Sequence, residues 1–315
     1  MAFTVLHQEQ DADVHVDAST FQKPLIQLAE VLAQKVKREA PPVLGAPPFV
    51  AVDLHVLMRQ TMYTYDLLFY LNADERRETD CYWKNAYGVV ILPLVRNMID
   101  ALYNITTILE DPRVNGTWFR RSGFKKSLKA FDEDEARYGG RPEWDAWIKK
   151  GRDGLDLQIR ANGLKVADVL VEKPWPTLGK YIRDEQPGGG FTAHQDFLKT
   201  FTYGHWRQYS AIAHGGFEGL LQVGMYFIAD SMPQEDRPQI EAAYPRLLSA
   251  HIGRAALMLL CIVTELQAYF HFDGASINER IHKMWNALMP AFDVKELYDE
   301  RYAQLMKDKG INPLS

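Results

Sequence analysis

Cysteine is nearly absent. Only Cys81 and Cys261 occur in 315 residues, far apart, with no CxxC pair and no Cys/His spacing of a zinc site, which argues against a disulfide framework and a structural metal. Such usage fits a reducing cytoplasm. Positive charge is not in surplus either. A net charge of -5 and a pI near 6.0 exclude a chain that coats nucleic acid or anionic membrane through its overall field, although a local basic patch is still allowed.

Long apolar runs are also missing. The most apolar stretch, "AALMLLCIVT" from Ala255 to Thr264, is closed by Arg254 and Glu265, well short of the about 20 residues a bilayer span needs. No membrane partner is expected. The opening "MAFTVLHQEQDADVHVD" carries no basic leader followed by an apolar core, so a secretory signal is not expected, and the Asn-x-Thr matches at Asn104 and Asn115 are expected to carry no sugar. Period-two alternation is scarce, with 164–173, "LKVADVLVEK", the one weak strand candidate. The glycines of "QPGGG" belong to neither GxGxxG nor GxxxxGK[ST], and GxSxG and HExxH do not occur.

What the chain does have is hydrophobic content of 47% and helical periodicity. At this length a folded chain buries roughly 75% of the surface its unfolded form exposes, so it needs no staples. Residues 1–18 show no sustained period. From Ser19, the apolar residues Leu25, Leu28, Ala29, Leu32 and Val36 recur at helical spacing. The prolines of "APPVLGAPP", 40–48, are expected to end that helix and form a linker. Helical patterns then cover about 50–72, 81–110, 115–137, 141–161, 192–230, 244–272 and 276–307, the last broken by Pro290, with Thr192 and Gln195 spaced as a capping box. The expectation is an all-α fold, a helical bundle with an N-terminal helical extension: 1–48 the extension and linker, 49–315 the main domain.

Two helices carry polar stripes. In "VVILPLVRNMIDALYNITTIL", Arg96, Asp100, Tyr103 or Asn104, and Thr107 interrupt an otherwise apolar surface, and Arg96 with Asp100 have the i, i+4 spacing of an ion pair. In "HWRQYSAIAHGG", Arg207, Ser210 and His214 at i, i+3 and i+7 share one helical face, followed by Gly215 and Gly216. Both stripes read equally as polar ties inside a bundle. Ser210 is suited to orienting His214 or bonding back to a helix carbonyl.

The spacing in "RQYSAIAH" is similar to the R-x4-6-H motif of the HEPN superfamily, small helical bundles that include metal-independent ribonucleases acting as dimers in toxin and phage-defence systems. Arg96 with Asp100 on one helix and "SAIAH" on another also resemble a family of uncharacterised bacterial helical proteins, from which no activity carries over. The likeness spans about 81–230. It implies that His214 acts as general acid or base, that Arg207 stabilises charge on a scissile phosphate, and that the RNA 2′-hydroxyl is the nucleophile. RNA and a second copy of the chain are then the candidate partners, with no cofactor and no metal. The competing reading is a non-enzymatic interaction or sensor module whose protein partner is unknown.

Two further features bear on function. "WFRRSGFKKSLKAFDEDEA" sets Arg120, Arg121 and Lys125 among aromatics, a candidate phosphate-backbone contact, but the acids that follow at once favour a solvated amphipathic helix with internal salt bridges. His194, Asp196, His205 and His214 along one helix, and His271, Asp273, Glu279 and His282 near another, match no known ligand spacing. Trp144, Trp147 and Trp175 read as packing anchors.

Overall fold

The computed structural model describes residues 2–5, 14–73, 88–184, 190–213, 233–235, 237–272, 275–290 and 292–308. The body is all-α. Before it stands a short antiparallel pair, β1 (Ala2–Val5) and β2 (Val14–Asp17), with Ala2 opposite Asp17. Two strands of four residues are too short for alternation to register in the sequence, and the hairpin went unseen there.

Helix α1 (Ala18–Val43) does not stop at the first proline. It runs through Pro41 and Pro42, because the carbonyls those prolines leave without an amide donor belong to Lys37 and Arg38, which lie on the solvent side of the last turns. Gly45, at φ +57°, ends the run in a left-handed conformation that glycine adopts without steric cost. Phe21, Leu25, Leu28, Leu32 and Val36 are all buried in the same apolar cluster as Met306 near the other end of the chain. Helix α1 is thus a core helix of the bundle, packed on α2 (Pro48–Ala73) and on α10 (Arg237–Phe270).

The remaining elements are α3 (Gly88–Glu110), α4 (Val114–Tyr138), α5 (Pro142–Ala161), α6 (Val166–Val171), α7 (Leu178–Tyr181), α8 (Ala193–Phe197), α9 (Tyr203–Ala213), α11 (Ala275–Leu288), α12 (Phe292–Leu297) and α13 (Ala303–Asp308). The weak strand candidate at 164–173 folds as α6, a single helical turn and a half whose Val169 is buried against the bundle. Thr192 and Gln195 form the expected capping box at the start of α8. Two π-helical turns, Leu198–Thr202 and Tyr298–Tyr302, join α8 to α9 and α12 to α13.

Helices α3 and α10 pack together at the centre. Around α10, Ile252, Ala255, Leu259, Leu260, Ile262, Val263 and Leu266 are buried on every side, as in a helix enclosed by others. Its stretch Ala250–Phe270 has the length and apolarity of a membrane span, but 89% of that window is buried inside the bundle. Where α4 crosses α2, Gly116 allows contact: a Cβ there would come within 2.6 Å of the Val50 side chain.

Candidate functional site

Polar side chains follow the buried line where α3 and α10 meet the shorter helices α8 and α9. They fall into three groups.

The first joins α3 to α9. Arg96 donates through Nε to the Ser210 hydroxyl at 2.6 Å and pairs through Nη1 with Asp100 one turn along its own helix. Its guanidinium lies 4.5 Å from the centre of the Trp206 ring, and the Trp206 indole N–H donates to Asp100 at 3.3 Å. A single cation is therefore held by a carboxylate, a hydroxyl and an aromatic face at once. The arrangement needs Trp206 and Ser210 four residues apart on α9, facing Arg96 and Asp100 four apart on α3.

The two stripes read from the sequence thus meet at Arg96, Asp100 and Ser210. Tyr103 turns elsewhere: its hydroxyl donates to the Pro176 carbonyl at 2.9 Å, and its ring packs on Tyr181 and Trp175. Burial pushes the Tyr103 pKa up, with the neighbouring Tyr181 and Asp100 adding to the shift. Arg207 does not join the cluster. It is exposed on α9 and makes no ion pair or hydrogen bond among the described residues. His214, Gly215 and Gly216 lie outside the described residues.

The second group joins α9 to α10. Tyr209 and His251 are buried and their side chains meet at 2.7 Å between the phenol oxygen and Nδ1. Arg254 donates through Nη1 to the Tyr209 oxygen at 3.2 Å and to Gln208 Oε1 at 3.4 Å. The phenol, accepting from Arg254, has its own proton to give to His251 Nδ1, which places the imidazole proton on Nε2. Burial lowers the His251 pKa to about 3 and that of His205 to about 4, in each case reinforced by the charge of Arg254.

The third group lies at the far end of α3. Arg301, in the second π-helical turn, donates to Glu265 on α10 at 2.7 Å, and its guanidinium sits 3.9 Å from the centre of the Phe197 ring. Burial alone would lower the Arg301 pKa, but Glu265, Tyr302 and Glu110 together more than offset this and hold it above the ordinary value. Close by, His194 Nε2 lies 3.2 Å from the Thr107 hydroxyl, and Nδ1 lies 3.9 Å from Glu110. Burial lowers the His194 pKa to about 3, assisted by the positive charge of Arg301. Burial raises the Glu110 pKa, against the lowering effect of Arg301.

The basic stretch of α4 is tied into the protein. Arg120 pairs with Asp53 on α2 at 2.7 Å and donates to the Phe49 carbonyl. Arg121 pairs with Glu172 at 3.4 Å and Asp168 at 3.8 Å, and Lys125 donates to the Glu172 carbonyl at 2.8 Å. These partners come from α2, α6 and the residue after α6. Of the acids that follow in sequence, Asp132 and Glu135 serve Arg152 on α5 instead. Trp175 packs on Trp118, Phe119 and Tyr103 and donates to Asn104, whereas Trp147, tilted against Phe131 and edge-on to Trp144, keeps 53% of its surface exposed.

Among the described residues no three His, Cys, Asp or Glu side chains stand together as a metal would require. Comparison with family models, with curated proteins and with solved structures finds no match. Sequence reasoning missed Tyr209, His251 and Arg254, and it missed Glu265 with Arg301. The spacing of Gln208 and Tyr209 gives no hint of the second group, whose facing residues on α9 and α10 stand more than 40 positions apart in the chain. Glu265 carries the clearest overlooked signal, an acid ending the most apolar run of the chain.

Proposed function

We propose that this chain is a non-enzymatic helical interaction or sensor module in which the Arg96, Asp100 and Ser210 cluster ties the bundle together. The observation that carries the reading is the bond from Arg96 Nε to Ser210 Oγ. A hydroxyl that accepts from a guanidinium already clamped by Asp100 and covered by Trp206 is committed to the fold. Ser210, the candidate for orienting His214, is 8% exposed and is occupied by a structural partner.

A HEPN-like, metal-independent ribonuclease is the second reading, and one observation favours it: Arg207 is an exposed cation with no described partner, free to meet a phosphate. One experiment separates the two. Purified protein is incubated with mixed-sequence RNA in EDTA, alongside Arg207→Ala and His214→Ala, and the melting temperature of each is recorded. The module reading expects no cleavage by the wild type. Cleavage that disappears in both variants while their melting temperatures hold would overturn it in favour of the nuclease.

A further inference from the structure

Helix α5 is covered on one side only. It packs on α4 and touches α6, and its buried residues Ile148, Leu155 and Ile159 share one face. Two glycines interrupt it. Gly151 is explained by that packing, because a Cβ there would come within 2.5 Å of the Phe131 ring on α4. Gly154 has no such reason: among the described residues nothing lies within 4 Å of the place its Cβ would take. A glycine inside a helix costs stability relative to alanine, and what it offers in return is close approach of another backbone or side chain. Here that neighbour has to come from outside the chain.

The face around Gly154 is apolar at its centre and charged along its length. Trp147 is 53% exposed and Leu157 69%, so two large apolar side chains stand in water on the side of α5 away from α4. Glu143, Lys149, Lys150 and Asp153 are exposed and make no ion pair or side-chain hydrogen bond among the described residues. Arg160, in the last turn, pairs with Asp156 of its own helix and is 73% exposed. Along α5 the free charges run acidic, basic, acidic, basic. Turned end for end, that order becomes its own complement.

We propose that this face binds a second copy of the chain, with the two α5 helices packed antiparallel about a two-fold axis that passes near Gly151 and Arg152. At that register Lys149 and Lys150 of each copy stand opposite Asp153 of the other, Glu143 stands opposite the last turn with Arg160, and Trp147 lies over the bare backbone at Gly154. A partner carrying one sign of charge would be repelled by half of this face, whereas a second copy meets attraction at both ends. A single helix pair is a small interface, so the dimer is expected to dissociate on dilution. The inference is independent of the function proposed above: the face lies apart from the Arg96 cluster, and either outcome of the RNA experiment leaves it standing.

Sedimentation equilibrium of the full chain, from about 1 μM to about 1 mM, is expected to show a reversible equilibrium between monomer and dimer. Asp153→Lys sets three lysines against one another across the axis, and Lys149→Asp combined with Lys150→Asp sets three aspartates, so each protein alone should lose the dimer. Mixing the two should restore it with one copy of each, because each then supplies the sign that the other lacks. Gly154→Gln is an independent arm. Its side chain enters open space, so at concentrations where the wild type is monomeric its melting temperature should hold or rise, while the dimer is lost. A wild type that stays monomeric over the whole range would overturn the proposal. So would a dimer that the charge variants leave intact, or a mixture of the two that stays monomeric, since the chains would then meet through another face.

Discussion

Arg96 and Ser210 stand 114 positions apart in the chain and meet at 2.6 Å. The bond closes α9 against α3, and its removal leaves a partly buried charged donor without its acceptor. Ser210→Ala is therefore expected to destabilise the protein by about 1–3 kcal/mol, the cost of leaving such a donor unsatisfied. Arg96→Lys should not restore stability, because an ammonium lacks the Nε edge that reaches Ser210 while Nη1 holds Asp100. Urea denaturation of the two single variants and the double variant checks this. Additive effects would show that the two side chains are not coupled.

That relationship was half legible in the sequence. Arg96 and Asp100 announce themselves as an i, i+4 pair in an apolar helix, and Ser210 stands out in "SAIAH". Which residue of α9 would share the cluster was not legible. A stripe counted at 100° per residue groups Arg207 with Ser210, but α9 turns Ser210 and Trp206 toward α3 and leaves Arg207 in water. Helix existence follows from local spacing, so α4 and α5 begin and end within a residue or so of expectation. Contacts between helices depend on crossing geometry, which local spacing does not contain. The helix end at Pro41 and Pro42 failed for a related reason: whether a missing amide matters depends on whether the orphaned carbonyl faces water.

The basic stretch of α4 yields a second prediction. Arg120→Glu would strand Asp53, whose carboxyl is 14% exposed, beside a second negative charge. The expected outcome is a loss of a few kcal/mol in stability, read as a lower denaturation midpoint. Arg121→Glu should cost less, since its contacts to Glu172 and Asp168 are longer and more exposed. Equal midpoints for wild type and Arg120→Glu would return this residue to the role of a free cation awaiting a phosphate backbone.

Glu265 and Arg301 form the most enclosed ion pair described, at 7% and 17% side-chain exposure. Arg301→Met should destabilise by about 3–5 kcal/mol, because Glu265 is left charged among apolar neighbours on α10. Adding Glu265→Leu should recover most of that loss, since a pair replaced by apolar side chains leaves no stranded charge. Thermal unfolding of the three proteins tests it. A double variant no more stable than Arg301→Met would mean that the guanidinium acts chiefly through its stacking on Phe197.

The histidines set the direction of the pH dependence. His194 and His251 are held at about 3 and His205 at about 4, each primarily by burial, against an unfolded value near 6.5. Between the two values the unfolded chain binds protons that the folded chain refuses, so stability is full above about pH 6.5 and is lost as pH falls toward the folded values. Asp53 acts in the opposite sense. Burial raises its pKa to about 6 despite Arg120, so in the window between about pH 4 and about pH 6 the folded chain takes up that proton more readily than the unfolded chain. Three depressed imidazoles outweigh it, and the denaturation midpoint is expected to fall steadily from about pH 6.5 to about pH 4.5. His251→Gln should make that fall shallower whatever it does to the midpoint at neutral pH, because one proton of preferential uptake by the unfolded chain is gone. An unchanged slope in this variant would show that His251 keeps its proton in the folded state, with the Tyr209 oxygen as acceptor on both sides.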